Sequence, residues 1–431
     1  MERKINNARA LNGEITPPPD KSISHRAIMF SSLAKGESRI KNFLWAKDPI
    51  SSLNGMKALG VLIEIKGTNK EIIVHGGGLK SLKEPQDVLD CGNSGTTMRL
   101  LSGILSGMPF LSILTGDESL RQRPMKRIIK PLSMMGANIF GRAENTLPPL
   151  VIKGGHLRGI TYEMPIASAQ VKSALLLAGL YADGETSVLE PHKSRDHTEK
   201  MLASMGVDIK INGNEIKLKP PRNELSAFDI TIPGDFSSAA FFIAGATLVP
   251  NSEILIKNVC LNDTRTGFLE VLTKMGGNFQ ILNRTYQAGE PVGDMIVKST
   301  QELKGVIVEG ELIPRLIDEF PILCVLATQS QGVTIIKDAE ELRKKESDRI
   351  RAMVTELSKM GAEIKELKDG VEIKGPCKLK GAYVYSHMDH RIAMALSIAG
   401  LIAEGVTTIV DSDCVDISFP DFYSLLEMLQ K

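Results

Sequence analysis

One phrase returns along this chain: a helical ending, a glycine, then a strand. It reads MKALGVLIEI, LSMMGANIF, LASMGVDIKI, LTKMGGNFQI and LSKMGAEIKE, with glycines at Gly60, Gly136, Gly206, Gly276 and Gly361. A glycine just past a helix suits the left-handed backbone that ends many helices. A sixth copy is cut short at LLEMLQK. A second phrase alternates with the first, in which an apolar helix ends in a turn and enters a β-branched run: LAKGESRIKN, LSGMPFLSIL, YADGETSVLE, VPNSEILIKN, SQGVTIIKD and AEGVTTIVD. Its six copies recur at intervals of about 70–80 residues, longer than the roughly 20–50 of solenoid repeats. Each interval has room for two helices and several strands, close to β-α-β-α-β-β. At 431 residues the chain exceeds what one core usually serves. The expected fold is α/β, with two similar lobes, each a set of three βαβαββ units around a shared core.

Two stiff breaks set the expected boundaries. TPPPDK, residues 16–21, cannot lie inside a helix, and ITIPGDFSSAA, residues 230–240, is its counterpart between the third and fourth units. Residues 21–232 should form one lobe. Residues 1–20 should join 233–431 in the other, with the active site in the cleft between them.

The six apolar helices start at DKSISHRAIMF, CGNSGTTMRLL, IASAQVKSALLL, PGDFSSAAFFI, RLIDEFPILCVL and SHMDHRIAMALS. A helix apolar all round is buried, so its polar start must face a cap, water or a ligand. Ser22, Asn93, Asp235 and Ser386 are the N-cap candidates. Capping explains any one start. It does not explain why Lys21, Arg26, Arg99, Lys172 and Arg391 crowd the first turns, because a cation there opposes the helix dipole unless an anion is near. Connecting loops add Arg121, Arg123, Arg127, Lys193, Arg195, Arg343, Lys344, Lys345, Arg349 and Arg351. Each run alone reads equally as a solvated face, with Glu346 and Asp348 pairing locally. Pro124 stiffens the backbone that presents Arg123, which favours a placed contact. Together these features point to a cleft for small, highly anionic substrates. Asp318, with apolar flanks in LIDEFPIL, and Glu346, in KKESDR, are candidates for proton transfer. A carboxylate between cations can act as a base, whereas one in an apolar wall can hold a proton. Asp318 reads alternatively as an N-cap before Phe320 and Pro321.

Net charge is +1 and aromatic residues are 5%, which argues against a nucleic-acid binder. No apolar run is long enough for a membrane span. The start, MERKINNARALNGEI, is basic but lacks an apolar signal core, so a cytoplasmic location is expected. The 5 cysteines are scattered without a C-x-x-C pair, and His387 and His390 lack an evident third ligand, so neither disulfides nor a metal are expected.

KSISHR, CGNSGTTMRLL, RPM, ASAQVKSALLLAGL, RDHTEKM, PGDFSSAAFF, TRTG, IDEFPIL, ELRKKESDRI, DHRIAMA and SFPDF follow one another in this order. Their sequence resembles the 5-enolpyruvylshikimate-3-phosphate synthase family, from about residue 5 to residue 425, and ASAQVKSA and RDHTEKM look like its class II branch. The resemblance implies an inside-out α/β barrel in each lobe, the enolpyruvyl transferase fold. It implies transfer of the carboxyvinyl group of phosphoenolpyruvate to the 5-hydroxyl of shikimate 3-phosphate, with release of phosphate and no cofactor or metal. The reaction belongs to the shikimate pathway toward chorismate and the aromatic amino acids. The resemblance further implies a monomer whose lobes close on shikimate 3-phosphate.

Carried onto this sequence, shikimate 3-phosphate should meet Lys21, Ser22, Arg26, Ser168, Ala169, Gln170, Arg195, Asp318 and Lys345. Phosphoenolpyruvate should meet Lys21, Asn93, Gly95, Arg123, Gln170, Arg349 and Arg391. Asp318 would accept the proton of the attacking hydroxyl, and Glu346, with Lys21, would serve the methylene carbon. Two positions depart from the pattern. Ile417, in DISFPDF, stands where many members have lysine, which removes one expected cation. Gly95 stands where glyphosate-tolerant class II members have alanine, which implies sensitivity, although Leu100 replaces the proline of sensitive members. The rivals are an enolpyruvyl transferase acting on UDP-N-acetylglucosamine, an RNA 3′-phosphate cyclase and a non-catalytic anion-binding protein. The first needs a cysteine in the GDESLRQRPMKR loop, which has none. The second needs a basic RNA surface. The third would have no use for the retained Lys21, Arg123, Asp318, Glu346, Arg349 and Arg391.

Overall fold

A computed structural model describes residues 1–68 and 70–430 of the chain. Contacts divide it into an inner unit, Pro19–Pro233 with the short turn Tyr286–Glu290, and an outer unit, Met1–Pro18 with Gly234–Thr285 and Pro291–Lys431. The main divisions fall in the two proline breaks. The turn Tyr286–Glu290, expected with residues 233–431, groups instead with the inner unit.

The inner unit holds a short parallel pair, Leu157–Arg158 with Ala182–Asp183, and three four-stranded sheets of one plan. Their strand orders are Ile230–Thr231, Lys35–Lys41, Glu71–Gly77, Leu62–Lys66; then Leu89–Asp90, Leu111–Thr115, Leu147–Lys153, Asn138–Gly141; then Thr161–Glu163, Thr186–Leu189, Glu215–Leu218, Ile209–Asn212. In each sheet the first pairing is parallel and the next two are antiparallel. A parallel pair needs a crossover, and helices Gly95–Ser106 and Ala169–Gly179 supply two of them. These two pack at backbone distance. A Cβ added at Gly103 would lie 2.3 Å from the Ala174 carbonyl oxygen, so only glycine fits there.

The outer unit repeats the plan with one gap. Asn12–Ile15 pairs parallel to Glu253–Cys260, and Leu303–Lys304 parallel to Ser330–Ile336; each of these then has antiparallel partners. In the third sheet Tyr383–Tyr385 runs parallel to Thr407–Val410, and the strand that the truncated sixth repeat lacks is supplied by Glu2–Ile5, antiparallel to Thr407–Val410. Helices Phe236–Leu248, Phe320–Thr328 and His390–Ile402 are buried along nearly their whole length, as their uniformly apolar sequences require.

The two units exchange their opening strands. Asn12–Ile15 lies in the outer unit, yet the chain runs from it into inner helix Lys21–Leu33. Ile230–Thr231 lies in the inner unit, yet the chain runs from it into outer helix Phe236–Leu248. Each helix is capped by an aspartate: Asp20 accepts from the Ile23 amide at 2.8 Å and Asp235 from the Ser238 amide at 3.2 Å. The Asp20 amide in turn donates to the Pro233 carbonyl, and the Asp235 amide to the Pro18 carbonyl, both at 2.7 Å.

Gly60, Gly136, Gly206, Gly276 and Gly361 all take positive φ, between 85° and 106°, as expected past helix ends. The N-caps are less well anticipated. Asp235 is one, but Asp20 replaces Ser22, Ser94 replaces Asn93 and Asp389 replaces Ser386. Glu319, not Asp318, occupies the cap position before Phe320. Among the described residues no helix is long and apolar enough to cross a membrane.

Candidate active site

The inner unit gathers one set of the expected residues around three helix starts. Lys21 is the first residue of its helix, and its Nζ lies 3.2 Å from Asp48 Oδ2, at the start of helix Lys47–Ala58. Ser22 follows in the first turn, and its carbonyl accepts from Arg26 Nη1 at 3.0 Å. Arg26 is buried, with Nε on Thr198 Oγ1 at 2.8 Å and Nη2 on Ser173 Oγ at 2.9 Å. Burial pulls this guanidinium down to about 10, against the opposing pull of Glu199 and Asp20. Arg26 thus ties helix Lys21–Leu33 to helices Ala169–Gly179 and His197–Ser204.

Ser168 stands at the N-cap position of Ala169–Gly179, but its side chain makes no capping bond. The neighbouring Gln170 is fixed at both ends of its amide. Arg99 Nη1 donates to its Oε1, and its Nε2 donates to Thr96 Oγ1 at 2.9 Å. Gly95 lies beneath two guanidiniums, since a Cβ there would sit 2.8 Å from Arg99 Nη1 and 3.6 Å from Arg123 Nη1. Arg123 takes an extended backbone before Pro124 and donates from Nη2 to Asn93 Oδ1 at 2.6 Å. Asn93 donates onward to Asp117 Oδ2 at 2.7 Å.

Arg195 sits in the loop after strand Thr186–Leu189. That loop is closed by Glu190, which accepts from the Ser194 amide at 3.3 Å and from the Ser194 hydroxyl. Lys172 joins Glu190 at 2.8 Å and Glu199 at 2.7 Å, all three buried. Lys172 therefore belongs to the scaffold under Arg195, rather than to an anion site as its place in a first turn suggested. The two carboxylates keep it charged: burial opposes its charge, but Glu199 and Glu190 raise it above its usual range.

The outer unit centres on Arg349, the first residue of helix Arg349–Lys359 and almost wholly buried. Three carboxylates surround it. Its Nε lies 2.8 Å from Asp389 Oδ2, Nη1 3.1 Å from Asp318 Oδ1 and Nη2 2.7 Å from Glu346 Oε2. Burial alone would lower its charge, but Asp389, Glu346 and Asp318 outweigh it and raise the guanidinium above its ordinary value. Arg391 Nη2 stands 3.7 Å from Asp318 Oδ2. Asp318 thus faces two guanidiniums and not an apolar wall, which suits a base. Lys345 lies 3.4 Å from Glu341 Oε1, and Asp348 pairs with Arg343 at 2.9 Å.

Sequence reasoning did not find Asp48 or Asp389. Both sit where a carboxylate at a helix start reads as an ordinary cap. The one available signal was an unexplained cation, Lys21 or Arg349, in need of a partner.

His25 adds a pH dependence. It is buried beside Arg26, with Nδ1 2.6 Å from Ser52 Oγ. Burial, helped by Lys21 and Arg26, holds it well below 6.5. The unfolded chain therefore takes up this proton first, so the stability His25 contributes is present above about pH 6.5 and is lost as pH falls. Denaturant melts should show stability falling by about 1.4 kcal/mol per pH unit below pH 6.5. His25→Asn should flatten that slope, and an unchanged slope would refute the assignment.

The family description EPSP synthase (3-phosphoshikimate 1-carboxyvinyltransferase) matches residues 5–426. A protein of Thermodesulfovibrio yellowstonii named 3-phosphoshikimate 1-carboxyvinyltransferase is 73% identical over 431 residues, covering 100% of both chains. A solved EPSP synthase from Acinetobacter baumannii is 44% identical with a TM-score of 0.89, over 99% of this chain and 98% of that one. The enolpyruvyl transferase NikO of Streptomyces tendae, at 16% identity and a TM-score of 0.77 over 99% and 96% of the two chains, shares the fold. With the enolpyruvyl transferase fold in place and matches running the length of the molecule, the chain belongs to the EPSP synthase (3-phosphoshikimate 1-carboxyvinyltransferase) family.

Proposed function

We propose that this protein transfers the enolpyruvyl group of phosphoenolpyruvate to the 5-hydroxyl of shikimate 3-phosphate. The observation that carries this reading is the full-length match to relatives bearing the enzyme's name. Phosphoenolpyruvate is a poor electrophile at C2 until its methylene takes up a proton. Glu346, with Lys21, serves that proton, while Asp318 accepts the one leaving the 5-hydroxyl. The hydroxyl oxygen bonds to C2, giving a tetrahedral adduct. The C2–O bond to phosphate then breaks and the methyl group returns one proton, so the products are the enolpyruvyl ether and phosphate. Arg123, Arg349 and Arg391 offset the charge of the leaving phosphate and the carboxylate. Ser22, Arg26, Ser168, Ala169, Gln170, Arg195 and Lys345 hold shikimate 3-phosphate, with Asn93 and Gly95 beside phosphoenolpyruvate. The uncapped start at Ser168 suits a phosphate. A cytoplasmic monomer that closes on shikimate 3-phosphate completes the reading.

Phosphate release with both substrates present, and none with either alone, is the expected result; no release with both defeats the function. Glyphosate should inhibit, because Gly95 adds no methyl group beside Arg99 and Arg123. Turnover unchanged in millimolar glyphosate would contradict that.

A further inference from the structure

The segment entering helix His390–Ile402 is strained. His387 and Met388 take φ of 54° and 57°, a left-handed pair without glycine, directly before Asp389 and Arg391. Two consecutive side-chain-bearing residues in this region cost free energy that the surroundings must supply. Helix Arg349–Lys359 supplies it from one face. Arg349 and Glu356 are seven residues apart, so they point the same way. Arg349 grips Asp389 at 2.8 Å. Glu356, fully buried, holds His387: its Oε1 lies 2.8 Å from His387 Nε2. Its Oε2 accepts from the Tyr385 amide at 3.0 Å and from Lys359 at 2.7 Å. One helix therefore clamps the turn on both sides of its strained pair. The Ser386 hydroxyl closes the turn from within, accepting the Met388 amide at 3.2 Å.

We propose that His387 is a positioning residue for Arg391, acting through this turn. The side chain is not directed at substrate; it fixes the backbone from which Asp389 holds Arg349 and from which Arg391 projects beside Asp318. Without the imidazole, the Tyr385 end of the clamp remains, but the left-handed pair is free to relax and Arg391 loses its register. The inference rests on the reading of Arg349 and Arg391 as the cations that meet phosphoenolpyruvate.

The test uses three substitutions in the full-length protein. His387→Gly tolerates the left-handed backbone but removes the contact with Glu356, so the position is no longer held there. His387→Asn also tolerates the conformation, and its amide stops short of Glu356. His387→Gln restores a donor long enough to reach it. The Gly and Asn variants should melt within a few degrees of wild type and raise the KM for phosphoenolpyruvate by about ten-fold, leaving the KM for shikimate 3-phosphate unchanged. His387→Gln should recover most of that loss. A purely structural role would instead move the melting temperature and spare KM. If KM for phosphoenolpyruvate is unchanged in both shortened variants, the inference is overturned. Wild-type turnover in the same assay separates this failure from failure of the proposed function.

Discussion

Lys21→Ala is expected to lose about 10³-fold in turnover while the protein remains folded. The reason lies in its position. Lys21 opens a helix whose N-cap is already supplied by Asp20, so its ammonium is not needed to end the helix and lies against the dipole. Its partner Asp48 is largely buried, with 12% of its side chain exposed, so removing the ammonium costs about 1–3 kcal/mol of stability, which a chain of this size survives folded. Circular dichroism and thermal melting of the variant should match wild type to within a few degrees. Full activity in a folded Lys21→Ala protein would remove Lys21 from the chemistry.

The second large effect falls on stability. Asp389 is fully buried against an equally buried Arg349, and it also caps helix His390–Ile402 by accepting the Arg391 amide at 2.9 Å. Asp389→Ala removes both roles and leaves Arg349 to the more exposed Asp318 and Glu346. A loss of about 3–5 kcal/mol is expected for the outer unit, read as a lowered urea midpoint. Asp389→Asn keeps the cap but not the charge, and should lie between the two. A loss below about 1 kcal/mol in the alanine variant would show that the other two carboxylates suffice. Burial disfavours the charge on Asp389, but Arg349 more than compensates and holds its carboxyl below 3.8. The unfolded chain thus binds that proton first. The contribution is complete above about pH 4 and is lost as pH falls toward the folded value.

Much of the architecture was legible because it is written in local terms. Gly60, Gly136, Gly206, Gly276 and Gly361 mark helix ends through a backbone requirement that no neighbour alters, and the uniformly apolar helices are buried because no other environment suits them. The caps were less legible because several polar residues compete at each start. Asp20 reaches the Ile23 amide and so moves Ser22 into the helix. The left-handed pair at His387 and Met388 shifts the cap from Ser386 to Asp389. The site was legible as a set of cations and not as a set of pairs. Lys21 with Asp48, Arg349 with Asp389 and His387 with Glu356 are joined across 27, 40 and 31 residues. Only the fold decides such distant partnerships, which is also why Lys172 looked like a ligand residue and proved to be a buried link between Glu190 and Glu199.

The strand exchange has a consequence for how the protein is made. Residues 19–233 carry three complete sheets, so that stretch can fold while the ribosome is still at work on the rest. The first eighteen residues cannot. Asn12–Ile15 waits for Glu253–Cys260, and Glu2–Ile5 waits for Thr407–Val410, the last strand to be made among the described residues. At roughly 5–20 residues per second, the leading segment stays unpaired for roughly 20–80 seconds of translation. Its charged and polar makeup, MERKINNARALNGE, fits it for that delay, since an apolar leader of the same length would offer nascent chains an edge on which to aggregate.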